Sequence, residues 1–202
     1  MMRLTAVLML VLGLAACSGA ADLNEPPVPL GNFSLTHNVV VAPKAQKGPF
    51  SRDATEDELT DAVRAAIAER FDRYNGSKRY HFGVSVEGYV LAVPGVPLVL
   101  SPKSALILKL TVWDDAAGGK LNEEPKQITV LESIGSGTLI GSGYTLSAEE
   151  QLKQLSQNAA KSIERYLVAQ MKEEGWFEGT EAAVPDISEP LQAPAVDPVP
   201  AG

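Results

Sequence analysis

Alternating apolar and polar residues predict four β-strands, over residues 33–42, 79–93, 104–113 and 126–134. The first strand ends in Val39-Val40-Val41, and these stiff, branched side chains predict an extended segment that is buried on both faces. In the second strand, apolar residues occupy even positions up to Val86 and odd positions from Tyr89 onward. This change of phase predicts a β-bulge near Gly88.

Two helices are predicted from apolar residues at helical spacing, over residues 56–74 and from 148 to about 174. Asn75-Gly76 is a stop signal after the first helix and Gly175 after the second, and Trp176-Phe177 is expected to fold back onto the core. A capping box begins each helix: Thr55 with Glu58, and Ser147 with Glu150.

The element order β-α-β-β-β-α predicts an α+β fold. A crossover through the first helix can pair the first strand with a later one, and short links let the other three strands form a meander. We therefore expect a two-layer sandwich, with a four-stranded, mainly antiparallel sheet and two helices on one face.

Composition divides the chain of 202 residues into four regions. Residues 1–16 are predicted to be a signal peptide, and residues 17–32, with three prolines, a lipidated tether that would reach roughly 50 Å when extended. Residues 33–177 form the α+β domain. Residues 178–202 are predicted to be a disordered acidic Pro/Ala-rich tail, because they lack any helical or strand periodicity.

The first 17 residues carry the most specific motif in the chain. Arg3 is followed by an apolar stretch over residues 4–14, too short to span a bilayer of about 30 Å. Leu14-Ala15-Ala16-Cys17 then resembles the lipobox of bacterial lipoproteins. The resemblance implies that Cys17 is alkylated by diacylglycerol and becomes the first residue of the mature chain. The alternatives are a secretory signal cleaved after Ala16, or an unprocessed helix.

Ser18 bears on which membrane would hold the lipid. By resemblance to the sorting of lipoproteins in Gram-negative bacteria, a residue other than Asp after the cysteine implies the outer membrane, with the protein facing the periplasm. The inner membrane is the alternative, since sorting rules differ among bacteria.

Charge and rare residue types exclude several classes of function. The net charge of −8 argues against a nucleic-acid partner. One cysteine excludes an internal disulfide and a Cys-based zinc site, and two histidines leave little material for His-dependent chemistry. No catalytic residue, cofactor site or metal ligand is predicted, and we expect a protein that is not an enzyme.

Three parts of the chain carry residue types that occur in catalytic and binding motifs. Residues 135–143 are rich in Gly and Ser, but they match neither G-x-G-x-x-G nor the Walker pattern, so a flexible loop is favoured over a ligand loop. Asp114-Asp115 could bind calcium but is more typical of a turn before Gly118-Gly119. A hydrolase would need Ser85 or Ser136 with His81, and the flanking residues fit no nucleophile motif.

An apolar loop is predicted over residues 94–102, where Leu98, Val99 and Leu100 lie among three prolines. Proline lacks the donor that a strand centre needs, so these residues are expected to leave the sheet. They either cover one end of the core, the interpretation we favour, or form a partner-binding patch.

The lipobox, tether and small α+β domain together resemble the small outer-membrane lipoproteins of Gram-negative envelopes, which include auxiliary lipoproteins of transport and secretion assemblies. This resemblance implies a lipid-anchored envelope protein with a non-enzymatic binding or scaffolding role, anchored to the membrane through Cys17 and able to bind an envelope protein. Two alternatives stay open: an accessory subunit that handles lipid or lipopolysaccharide, and, less favoured, a periplasmic hydrolase.

Overall fold

The computed structural model describes residues 20–93, 104–132 and 146–178. In these ranges it contains six strands and two helices. The strands are β1 (Phe33–Val41), β2 (Gln46–Lys47), β3 (Lys78–Val90), β4 (Ala105–Asp114), β5 (Gly119–Lys120) and β6 (Lys126–Leu131), and the helices are α1 (Glu56–Phe71) and α2 (Ala148–Glu174).

The sheet is mixed and open, and the expectation of four strands is corrected to six among the described residues. The six strands occupy four positions across the sheet. β1 and β2 both pair in parallel with one edge of β3, whose other edge pairs antiparallel with β4, and β5 and β6 both pair antiparallel with the far edge of β4. The two extra strands have only two residues each, so no periodicity could reveal them.

The predicted β-bulge is confirmed, because the register of β3 against β4 shifts between Val86 and Gly88. Before the bulge, the even positions from Tyr80 to Val86 are buried. After it, Tyr89 is buried, as is Leu91 just past the end of β3. The bulge therefore keeps apolar side chains on one face of a long strand. That face joins alternate residues of β4 and β6 and the apolar sides of both helices in one core.

The opposite face of the sheet, here called the open face, has no described layer over it. The expectation that the valines ending β1 are buried on both faces is wrong for this reason. Val40 is 4% exposed in the core, whereas Val39 is 57% and Val41 45% exposed. The open face also carries Trp113 and Leu131, both exposed.

Both capping boxes form as predicted. Thr55 and Ser147 each accept a bond from the backbone N–H three residues on, and Glu58 and Glu150 accept in return from the backbone N–H of the cap. α2 ends at Gly175 in the left-handed region, φ +68°, as expected.

The end of α1 differs from the prediction, because the helix stops at Phe71 and not near residue 74. Gly76 has another function than a helix stop. A Cβ atom there would lie 2.4 Å from the carbonyl carbon of Asn32, so only glycine permits the chain entering β1 to pass so closely. Trp176 and Phe177, just beyond α2, join the core as expected.

A buried ion-pair network holds the two helices together. Arg70 of α1 is 1% exposed and Glu164 of α2 is 3% exposed, and Arg70 Nη1 donates to Glu164 Oε2 at 2.8 Å. Tyr74 donates its hydroxyl to the other oxygen of Glu164 at 2.8 Å. Burial and this bond to a carboxylate raise the pKa of Tyr74.

The same network binds the segment that precedes β1. Asp22 accepts from Arg70 Nη2 at 2.9 Å and lies 3.1 Å from Lys161 Nζ, and the bond from Arg70 is the main reason that the pKa of Asp22 falls well below its usual range. Arg73 donates to the carbonyls of Leu23 and Glu25. No local sequence pattern predicts these contacts, which fix the chain to the helices from residue 22 onward.

Removing Glu164 tests the importance of this network. Glu164→Ala leaves Arg70 with an incompletely paired buried charge, and the free energy of unfolding should fall by about 3–5 kcal/mol in urea denaturation followed by circular dichroism. The matched control is Asp61→Ala, which breaks the exposed Asp61–Arg64 pair of α1 and should cost no more than about 1 kcal/mol. Equal losses in the two variants would contradict the structural role assigned to Arg70.

Candidate functional site

Two features of the described residues could bind a ligand: a histidine pair on the open face of the sheet, and a groove between the helices. The open face presents side chains in rows across the strands. One row places His37 of β1 opposite His81 of β3, and His81 opposite Trp113 of β4. Both imidazoles thus project from the open face, His37 from the edge strand β1 and His81 from β3, beside a half-exposed indole.

The two imidazoles lie within hydrogen-bond distance of each other, and Asp115 contacts the far nitrogen of one of them. Nδ1 of His37 lies 2.8 Å from Nδ1 of His81, and the ring centroids are 4.7 Å apart. Nε2 of His81 lies 3.2 Å from Oδ1 of Asp115, whose other oxygen lies 2.9 Å from Nη2 of Arg79. The bond from His81 is the largest reason that the pKa of Asp115 is lowered.

This geometry does not form a nucleophile–base pair. Ser85 is four residues from His81 on the same strand, about 13 Å along it, and so lies beyond hydrogen-bond reach. Asp114 accepts bonds from the backbone N–H groups of Ala116 and Ala117, which is the turn that the sequence favoured over a calcium site. Among the residues that the structure describes, no group of three or more His, Cys, Asp or Glu could hold a metal ion.

The second feature, here called the interhelix groove, has a volume of about 770 Å³. It runs beside α1 from Asp57 to Glu69, which is about 18 Å of helix. Its floor is apolar and includes Ala54, Ala62, Ala65, Ala66, Leu91, Ala148 and Leu152.

The rim of the interhelix groove is acidic. Its carboxylates are Asp53, Asp57, Glu58, Asp61, Glu69 and Glu149, and its one amine is Lys153. Lys47 and Arg64 pair with two of these carboxylates, which leaves three more carboxylates than cations around the floor. Glu58 keeps a lowered pKa because it accepts from the Thr55 backbone N–H, so its charge persists at neutral pH.

Several sequence-predicted positions fall outside the described residues. These are the lipidation site Cys17, the proposed partner-binding residues Leu98, Val99 and Leu100, the Gly/Ser-rich segment 135–143 with Ser136, and the tail beyond residue 178. The predictions made for them stay predictions. No described helix is both long and apolar enough to cross a membrane.

Sequence reasoning missed both the histidine pair and the groove. His37 and His81 are 44 residues apart and become neighbours only because β1 pairs in parallel with β3. A crossover between these strands was predicted, but its register was not, and one residue of slip would place the two imidazoles on opposite faces. No local pattern in the sequence marks the acidic residues of α1 as part of a groove.

Comparisons with known proteins give no family. No family model matches the chain, and no curated protein matches it. Among solved structures, a Xanthomonas campestris protein of family DUF330 aligns at 15% identity and a TM-score of 0.45, covering 74% of this chain and 94% of that one.

Two other similar structures carry lipoprotein names. A candidate lipoprotein from Caulobacter crescentus aligns at 12% identity and a TM-score of 0.37, covering 66% of this chain and 91% of that one. A minor lipoprotein from Acinetobacter baumannii aligns at 16% identity and a TM-score of 0.27, covering 69% and 94%. At these identities and TM-scores the similarity carries no argument about function.

The exposed position of the histidine pair predicts that its removal has little effect on stability. A His37→Ala, His81→Ala double variant should lose less than about 1.5 kcal/mol of unfolding free energy, because it removes a partly exposed hydrogen bond. Phe82→Ala, on the next residue of β3 but on the covered face, should cost about 3–5 kcal/mol. Urea denaturation compares them, and an equal loss in both would mean that the histidines are part of a packed interface.

Proposed function

We propose that this protein is a lipid-anchored protein of the cell envelope that binds another envelope protein and performs no chemistry. The membrane is the outer membrane, with the domain facing the periplasm. The observation that carries the binding role is the interhelix groove, with its apolar floor and acidic rim. The lipobox at Cys17 supports the anchor. Ser85 lies beyond hydrogen-bond reach of His81, which disfavours a hydrolase that would use this serine.

The anchor would hold the domain close to the bilayer. Asp22 is fixed to Arg70 and Lys161, and only five residue steps separate it from Cys17. Five residue steps span at most about 18 Å, much less than the full length of the predicted tether. A lipid on Cys17 would therefore keep the C-terminal end of α1 nearest to the membrane.

The occupant that best fits the interhelix groove is a basic amphipathic helix of a partner protein. An elongated apolar floor of about 18 Å accepts the apolar side of three or four helical turns. The acidic rim would face lysine and arginine side chains along the edges of such a helix. Charge complementarity of this kind mainly speeds association and excludes wrong partners.

The same charges argue against the transport alternative at this groove. A phospholipid or lipopolysaccharide carries phosphate groups, which the excess carboxylates on the rim would repel. An accessory subunit of a lipid or lipopolysaccharide assembly would need another surface for the ligand. Leu98, Val99 and Leu100 remain the proposed residues for such a surface.

Lipidation is tested by labelling cells with a fatty acid. The wild-type protein should carry the label and fractionate with the outer membrane, whereas Cys17→Ala should carry none, because that cysteine is the only thiol in the chain. Ser18→Ala is the matched control and should be labelled normally. An unlabelled wild-type protein would contradict the anchor.

The groove is tested by photo-crosslinking in intact cells. A photo-crosslinkable amino acid in place of Ala65, in the groove, should join the protein to a partner protein, and the same amino acid in place of Thr129, exposed on β6, should not. Asp57→Lys and Asp61→Lys, made together in the variant with the photo-crosslinkable amino acid at position 65, should lower the yield of this adduct at least tenfold. Each substitution reverses the charge of one carboxylate on the rim.

The identity of the adduct separates the hypotheses. A protein adduct that depends on the acidic rim supports the proposal. A lipid or lipopolysaccharide adduct at Ala65 would favour the transport alternative. A protein adduct at Ala65 that forms equally after charge reversal would exclude the acidic rim as the determinant of binding. A protein adduct only at Thr129 would exclude the groove as the binding surface.

A further inference from the structure

We propose that His37 and His81 form a binding site for one divalent transition-metal ion that prefers tetragonal coordination, Cu(II) or Ni(II). The site uses two protein ligands from neighbouring strands, and water completes the coordination. It is independent of the lipid anchor and of the interhelix groove, because neither Cys17 nor a groove residue takes part.

The distance between the two nitrogens is compatible with chelation of one ion at a right angle. Two Nδ1 atoms 2.8 Å apart, each bonded to one ion at about 2.0–2.1 Å, subtend an angle of about 85–90° at that ion. A tetrahedral ion would need the nitrogens farther apart. A right angle matches adjacent ligands of a square-planar or tetragonal site, and imidazole suits Cu(II) and Ni(II).

Asp115 sets the orientation of His81. A carboxylate only accepts hydrogen bonds, so its contact with Nε2 favours the tautomer that carries the proton there. The lone pair of His81 Nδ1 then faces His37. A carboxylate on the far nitrogen of a histidine is the usual outer partner of a metal ligand, and Arg79 holds this one in place.

The surroundings leave room for an ion and its waters. Gly83 lies two residues after His81 on the same face, and a Cβ atom there would meet only the Thr111 Cβ, at 4.0 Å. His37 is exposed, so solvent reaches the pair from the open face.

Metal binding needs a proton shift and no change of oxidation state. Without metal, the Nδ1 proton of His37 is shared with the Nδ1 lone pair of His81. When the ion binds, His37 loses this proton and takes one from water on its exposed Nε2, so both imidazoles stay neutral and both Nδ1 lone pairs are donated to the ion. Two coordinated waters leave as the two metal–nitrogen bonds form.

The test titrates the full-length protein, in detergent micelles and a non-chelating buffer, with Cu(II) as its chloride. The chain has only two histidines, so any imidazole nitrogen seen by pulsed electron paramagnetic resonance belongs to this pair. We expect one equivalent to bind with two imidazole nitrogens. His37→Ala and His81→Ala should each lower the affinity at least tenfold and leave one such nitrogen.

Two further variants distinguish an oriented metal site from nonspecific metal binding by exposed histidines. Asp115→Asn should leave both imidazole nitrogens bound to Cu(II) but lower the affinity for the ion about tenfold or more. Residues that hydrogen-bond to a metal-ligating histidine typically contribute about 10–100-fold to metal affinity. Thr129→Ala, at an exposed position of β6, is the control and should leave the affinity unchanged. His37→Asn and His81→Gln repeat the loss if either alanine variant fails to fold.

The outcomes are decisive in both directions. Two imidazole nitrogens, one equivalent and an effect of Asp115→Asn support the site. One nitrogen in the wild-type protein, or equal affinity in the wild type and in the His37→Ala, His81→Ala double variant, would overturn it. An unchanged affinity in Asp115→Asn would overturn the orienting role of Asp115.

Discussion

The burial of one guanidinium group determines how this protein is assembled. Arg70 is almost fully withdrawn from water, and a buried cation is tolerated only when it is paired and hydrogen-bonded. Its partners come from two separate parts of the chain, Asp22 and Glu164. Satisfying that one charge therefore fixes the packing of α1 against α2 and binds the segment before β1 to both helices.

The one-sided core is the second constraint, and it explains the chemistry of the other face. The sheet buries Tyr80, Phe82, Val84 and their neighbours beneath the helices, so alternate residues of the same strands must point away. The parallel register of β1 and β3 then places His37 beside His81 on the uncovered side. A pairing that serves packing on one face thus produces an imidazole pair on the other.

Local signals in the sequence were enough to predict most helix boundaries and the bulge. They did not reveal charge pairs between residues far apart in the chain. The capping boxes at Thr55 and Ser147, the stop at Gly175 and the bulge beside Gly88 each depend on residues close together in the chain, and each forms. Arg70 was not recognised as buried, because an arginine in an amphipathic helix is ordinarily exposed and its partners are 48 and 94 residues away. The groove escaped notice for the same reason, since its two walls come from different helices.

The Asp22 contact also relates the proposed anchor to the interhelix groove. Arg70, which holds Asp22, follows directly after Glu69 at one end of that groove, and the groove then extends about 18 Å toward the start of α1. A lipid five residues before Asp22 would place this end of the groove nearest to the bilayer. Because anionic lipid headgroups and the acidic rim repel each other, the rim would favour cationic protein segments over the membrane surface itself. The carboxylates that do not take part in the core would in this way select a protein occupant for a groove that lies close to lipid.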